Sequence, residues 1–166
     1  MGKGLRIRQG AEDDVPALTA MTREFNDYLD SLGGAMPAAD AAEIATAAMA
    51  RLRSFAFGPS PICTILVAEL DGKAVGYLIY FIGVYMDDAT PTLHVADFFV
   101  SKPNRLRGVG KGLMLEARRI ATDQGASRVL WTVWRRNVDA IRFYERLGAK
   151  MEPQDGSVLM QWLVKS

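Results

Sequence analysis

The chain has 166 residues, 49% hydrophobic and 23% charged, which is the balance of one globular domain of ordinary size spanning 1–166. Twenty basic residues stand against nineteen acidic ones, a formal charge of +1 that gives no support for a broad nucleic-acid-binding surface. Cys63 is the only cysteine, so an internal disulfide and a multi-cysteine metal site are both excluded. No apolar run reaches the ~18 residues that a membrane span needs. The N-terminal "MGKGLRIRQG" lacks the apolar core of a signal peptide, and Gly2 is not followed by the hydroxyl residue that myristoylation wants. A cytoplasmic protein without a membrane partner is expected.

In chain order, Leu5 and Ile7 alternate with Arg6 and Arg8, which predicts a short strand. "AEDDVPALTAMTREFNDYLD" predicts a helix. Asp13 or Asp14 is placed to cap it, Pro16 lies near its start, and Val15, Leu18, Met21 (or Thr22), Phe25 and Leu29 recur at helical spacing. The alanine-rich stretch from Ala38 to Arg53 has high helix propensity, with Ile44, Met49 and Leu52 as its apolar side. "GPSP" then breaks the chain. "ICTILVAEL", "DGK" and "AVGYLIYFIGVY" predict a strand, a tight turn and a second strand, with Cys63 a buried thiol in the first. "MDDATP" reads as a loop and "TLHVADFFV" as a third strand.

A glycine-rich stretch, "NRLRGVGKGLM", opens the next helix, whose apolar face is Val109, Leu113, Ala117 and Ile120. "SRVLWTVW" predicts a strand, and "VDAIRFYERLGA" a helix with Ile141, Tyr144 and Leu147 on one side and Gly148 as its stop. "VLMQWLV" predicts a last strand. The order β-α-α-β-β-β-α-β-α-β implies an α/β (α+β) class fold, a mixed sheet with helices against it.

Glycine loops at helix starts suit phosphate, because free N–H groups and the positive helix end point outward. A Walker loop requires Ser or Thr after its Gly-Lys pair, and here Gly110-Lys111 is followed by Gly112. A dinucleotide fingerprint counted from Gly108 puts Leu113 where its third glycine belongs. The remaining pattern, R-x-x-G-x-G, is met by Arg105, Gly108 and Gly110.

Together with "HVADFFV" before it and "NVDAIRFYERLGA" after it, this pattern resembles the GNAT superfamily of acetyl-CoA-dependent N-acetyltransferases. The resemblance spans essentially the whole chain and is most specific from Leu93 to Ala149. "ADFFV" looks like the corresponding strand of the spermidine/spermine (diamine) acetyltransferase branch. It implies a GNAT-type, mainly antiparallel sheet with acetyl-CoA as co-substrate. The amides of Leu106, Arg107, Gly108, Val109, Gly110 and Lys111 would receive the pyrophosphate. Phe98, Phe99 and Val100 would bond the pantetheine arm along the strand edge. Arg105 either points at the phosphates or braces the loop. Asn137 caps its helix and, by the resemblance, also contacts the coenzyme. Tyr144 is either a core aromatic or, by the resemblance, the acid that protonates the departing thiolate.

The base is where the sequence departs from the family, many of whose members carry a glutamate at the place of Ala96. Asp97 is the first candidate, although strict strand alternation sends it to the opposite face unless a β-bulge intervenes. His94 is the second, since imidazole is a side chain of the kind that serves as a base near neutral pH. Tyr85, Asp87 and Asp88 either form a solvated turn or present carboxylates to a cationic acceptor. Glu24, Asp27 and Tyr28 lie a helical turn apart, on a helix that often borders the acceptor site in GNAT enzymes. The acceptor is expected to be a small-molecule amine, or a lysine or N-terminal amine of a protein. The alternative is an acyl-CoA-binding sensor with little catalysis, which Ala96 keeps open. Family members often form homodimers, in which the final "SVLMQWLVKS" could take part.

Overall fold

The computed structural model describes residues 4–33 and 38–151, and between 38 and 45 the backbone alone. These residues divide into two compact units, one ending at Thr132 and one beginning at Val133. The first holds β1 (Arg6–Gln9), α1 (Val15–Ser31), α2 (Ala38–Phe57), β2 (Thr64–Leu70), β3 (Lys73–Tyr85), β4 (Thr90–Val100), α3 (Val109–Asp123) and β5 (Arg128–Leu130). The second holds α4 (Val138–Arg146). The order is the one that the periodicity predicts. The last strand, at 158–164, lies outside the described residues.

The five strands form one sheet in the order β1-β2-β3-β4-β5. All neighbours are antiparallel except β4 and β5, which run parallel through Thr92–His94 and Arg128–Leu130. The sheet is therefore mixed and mainly antiparallel, as expected. Alternation along β3 distributes the helices to its two faces. Tyr77 and Ile79 point into a cluster with Leu18 and Met21 of α1, Met49 of α2 and Phe99 of β4. Gly76 points the other way, beneath α3: a Cβ there would lie 2.9 Å from the Phe99 carbonyl oxygen and 3.3 Å from Val109 Cγ1. Only a bare backbone lets β3, β4 and the start of α3 approach so closely. Buried leucines anchor both layers, Leu18 on one and Leu113 on the other. Each contributes about 1.5–3 kcal/mol by removing its side chain from water.

Several local expectations change. Asp14 sits at the N-cap of α1 but gives no side-chain cap; its carboxylate takes two bonds from Arg8 and one from the Ala11 amide. Arg8 also bonds Glu69, which ties β1 to β2 and to the start of α1. The bidentate guanidinium holds the Asp14 carboxyl below the usual aspartate range. Cys63 is half-buried and precedes β2 rather than lying in it, because the ladder starts at Thr64↔Tyr80. On α3 the fully covered residue of the last turn is Ala121, with Ile120 half-buried. β5 is shorter than "SRVLWTVW" suggests, since pairing with β4 ends at His94↔Leu130.

Candidate active site

The β4–β5 ladder ends at His94↔Leu130, while Val95 to Val100 continue in the ladder with β3. Within that stretch the β3–β4 register slips. Ile79 pairs with Asp97 and Tyr80 with Val95, which leaves Ala96 as an extra residue opposite no partner. This is a β-bulge, and its effect is on parity. Directly paired side chains share a face of the sheet. Asp97 stands opposite Ile79 and His94 opposite Phe81, and Ile79 and Phe81 are two apart on β3. Asp97 and His94, three apart in sequence, therefore face the same side, the one that carries α1 and α2. Strict alternation would have separated them.

Asp97 is held at both oxygens. Tyr77 Oη donates to Oδ2 at 2.8 Å, and the Phe98 amide donates to Oδ1 at 2.8 Å. Tyr77 is itself fully buried, with Thr22 Oγ1 3.3 Å from its hydroxyl and Met49 Sδ 3.7 Å from Thr22. Burial pushes the Asp97 carboxyl above its ordinary pKa, and the bonds from Tyr77 and Phe98 offset part of that rise. Burial, followed by the nearby Asp97 charge, pushes the Tyr77 phenol far above its usual value. A carboxylate with raised basicity and fixed orientation is what proton abstraction needs. Tyr77 and Thr22 escaped the sequence reading. A signal for Tyr77 existed, since a tyrosine inside a buried aliphatic strand must find a partner for its hydroxyl.

His94 stacks on Phe81, with ring centroids 5.0 Å apart and planes within 8°. Tyr85 lies under the Arg128 guanidinium, 3.6 Å from its centroid. Asp88 is committed to its own turn: it accepts from the Thr90 amide and hydroxyl and pairs with Arg128. Asp87 is exposed on the same turn, and Asp27 is exposed on α1.

The glycine loop follows β4 through a short 3-10 turn, Lys102–Asn104. Leu106 and Gly108 both adopt positive φ, 62° and 81°, and the first bond of α3 runs from the Gly112 amide to the Gly108 carbonyl at 2.9 Å. The amides of Val109, Gly110 and Lys111 precede that bond and so have no acceptor within the helix. The donor set fits a pyrophosphate at a helix N-terminus.

Arg105 braces this loop. Its Nε donates to the Val100 carbonyl at 3.0 Å, and its guanidinium lies over Tyr28 and Phe99, 4.8 and 5.4 Å from the ring centroids. Two residues expected to line an acceptor site also hold the loop. Tyr28 carries Arg105, and Glu24 accepts from the Lys102 amide at 2.6 Å. Both fasten α1 to the loop.

In the second unit, Asn137 caps α4, accepting from the Ala140 amide at 3.2 Å. Gly148 at φ 88° ends the helix, and Tyr144 packs on Phe143 with centroids 5.2 Å apart.

Residues 24–149 match the family model described as the acetyltransferase (GNAT) family. The chain belongs to that family, a class of acetyltransferases whose acetyl donor is acetyl-CoA. Among curated proteins it is similar to the L-ornithine N5-acetyltransferase NATA1 of Arabidopsis thaliana, 33% identical over 81 residues. That match takes in 49% of this chain and 36% of the plant protein. Among solved structures, an integron cassette protein from the mobile metagenome of V. cholerae superposes with a TM-score of 0.75 at 20% identity, over 97% of this chain and 94% of that one. The aminoglycoside acetyltransferase meta-AAC0020, from an uncultured soil metagenomic sample, superposes with a TM-score of 0.68 at 21% identity, over 97% of each chain. Both structures share the fold. No helix among the described residues is long and apolar enough to cross a membrane.

Proposed function

We propose that this chain, as one cytoplasmic catalytic domain, transfers the acetyl group of acetyl-CoA to a primary amine of a small molecule by direct attack in a ternary complex. The observation that carries this reading is the bulge that turns Asp97 to the α1–α2 face, where two hydrogen bonds fix its carboxylate. The ornithine acetyltransferase to which the chain is similar supports a small amine as acceptor. Polyamine specificity does not follow from the "DFFV" strand, because Ala96 removes the glutamate that accompanies it.

An alkylamine of pKa near 10.4 is about one part in a thousand neutral near pH 7.4, a cost of roughly 4 kcal/mol. Asp97 accepts the proton that the amine must lose, and its raised basicity narrows that gap. The amides of Val109, Gly110 and Lys111 bind the pyrophosphate, and the strand β4 at Phe98–Val100 aligns the pantetheine arm. Backbone N–H groups near Phe99 and Val100 polarise the thioester carbonyl. Tyr144 donates its phenol proton to the departing thiolate. Asn137 contacts the coenzyme while it caps α4.

The test is release of free CoA thiol from acetyl-CoA with ornithine, short diamines, spermidine, aminoglycosides and lysine peptides, and with Tyr144→Phe as control. Saturable release with one small-amine class, lowered in the control, is the expected result. Coenzyme binding with no release from any acceptor would leave an acyl-CoA-binding module in place of an enzyme.

The fastening of α1 to the loop carries its own expectation. Glu24→Ala should raise KM for acetyl-CoA several-fold and leave kcat nearly unchanged, since it frees the Lys102 amide ahead of the phosphate loop. Glu24→Gln keeps an acceptor oxygen and should restore the parent KM. Equal losses in kcat for both variants would place Glu24 at the acceptor.

A further inference from the structure

Thr22 is a buried polar residue on the core side of α1. A threonine inside a helix commonly gives its hydroxyl to the carbonyl one turn back. Thr19 of the same helix does so, donating to the Val15 carbonyl at 2.8 Å. Thr22 instead directs Oγ1 out of α1, 3.3 Å from Tyr77 Oη and 3.7 Å from Met49 Sδ. Tyr77 in turn reaches Asp97, so side chains from α2, α1, β3 and β4 stand in one row. Met49, Thr22 and Tyr77 are buried, whereas Asp97 at the end of the row is half-buried. The two hydroxyls between the ends can each point a proton in either direction along it.

We propose that Thr22 is a positioning residue for Asp97, the middle of a chain of hydroxyls that reverses direction when the carboxylate takes up a proton. The inference rests on the reading of Asp97 as the base. While Asp97 is charged, the protons point toward it: Thr22 donates to Tyr77, and Tyr77 donates to Oδ2 across the shorter gap of 2.8 Å. Once the amine's proton sits on Oδ2, the carboxyl becomes a donor and Tyr77 Oη its acceptor. The phenol proton then turns to Thr22 Oγ1, and the Thr22 proton turns to the Met49 thioether, a weak acceptor. Each hydroxyl keeps its own proton, and only the amine's changes hands. Without Thr22 the phenol has no acceptor in the second arrangement, and a buried donor left unpaired is costly. Thr22 thereby favours the protonated carboxyl, through Tyr77. Of the other ionisable groups on the elements around Asp97, His94 stacks on Phe81, and Glu24 and Tyr28 hold the glycine loop. Cys63 packs against the core ahead of β2, and Arg51 and Arg53 of α2 are exposed.

Carbon-13 NMR of the aspartate carboxyls reads Asp97 directly and without turnover, its signal assigned by its absence from Asp97→Asn. Thr22→Val keeps the shape of the side chain and loses the hydroxyl, so Asp97 should titrate at lower pH than in the parent. The acid limb of kcat should follow, with a roughly 10-fold higher rate on its acid side. Tyr77→Phe removes the donor itself and should move the titration the other way. In the double variant Thr22→Val, Tyr77→Phe, Asp97 should titrate as in Tyr77→Phe alone, because Thr22 acts only through the phenol. Thr22→Ser returns the hydroxyl and should return the parent titration. Thr22→Ala repeats the loss in a smaller side chain, in case valine does not fit. An Asp97 titration that stays at the parent value, or rises, when the hydroxyl is removed overturns the proposal. A lowered titration that the kcat limb does not follow sustains the chain of hydroxyls and instead removes Asp97 from the base role.

Discussion

Asp97→Asn should lower kcat by about 10²–10⁴-fold, the range lost with a general base, and leave KM for acetyl-CoA within a few-fold of the parent. Asparagine suits the test because it disturbs little else. Its carbonyl can still accept from the Phe98 amide, as Oδ1 does at 2.8 Å. Its amide nitrogen can donate to the Tyr77 hydroxyl, which then turns its own proton to Thr22 Oγ1, 3.3 Å away. The stability consequence has the opposite sign to the catalytic one. Burial raises the folded-state pKa of Asp97, so its contribution to stability is full below the ordinary aspartate value and is lost as pH rises through the folded one. The asparagine variant carries no such loss, and its melting temperature should gain on the parent as pH rises. A variant that keeps near-parental kcat at neutral pH removes Asp97 from the base role. His94, on the same face, is then the next residue to substitute.

The fold was legible because its signals are local. Helical spacing in α1 and α3, the tight turn between β2 and β3 and the glycine stop after α4 each sit within one element, and each element formed. The glycine loop at the start of α3 was legible for the same reason, since a helix start is written in adjacent residues. The orientation of Asp97 was not. One unpaired residue, Ala96, reverses the parity of everything beyond it, and no alternation pattern reveals where a ladder slips. The work of Glu24 was hidden for a different reason. Its partner, the Lys102 amide, is 78 residues away and is a backbone group that every residue but proline carries. Helix spacing placed Glu24 and Tyr28 on one side of α1 correctly, but which surface that side meets is a tertiary fact.

Tyr77→Phe should separate positioning from chemistry. The Tyr77 hydroxyl donates to Asp97 Oδ2 at 2.8 Å, and that bond favours the ionised carboxylate, opposing the burial that favours the protonated one. Removing it leaves burial less opposed, so the Asp97 pKa should rise further. The acid limb of the kcat profile should then move to higher pH. A hydrogen bond to a charged group is worth about 1.5–3 kcal/mol, which corresponds to roughly a 10–100-fold lower rate on the acid side of the limb. Well above the limb, where the carboxylate is ionised in both proteins, the rates should converge to within a few-fold. Thr22 keeps a neighbour in Met49 Sδ, 3.7 Å away, so the loss of the phenol leaves no stranded donor at the core. A purely structural role for Tyr77 predicts another result, a loss of rate by the same factor at every pH, accompanied by a lower melting temperature. The two outcomes differ in the shape of one curve, and that curve reports whether the buried tyrosine acts through the base.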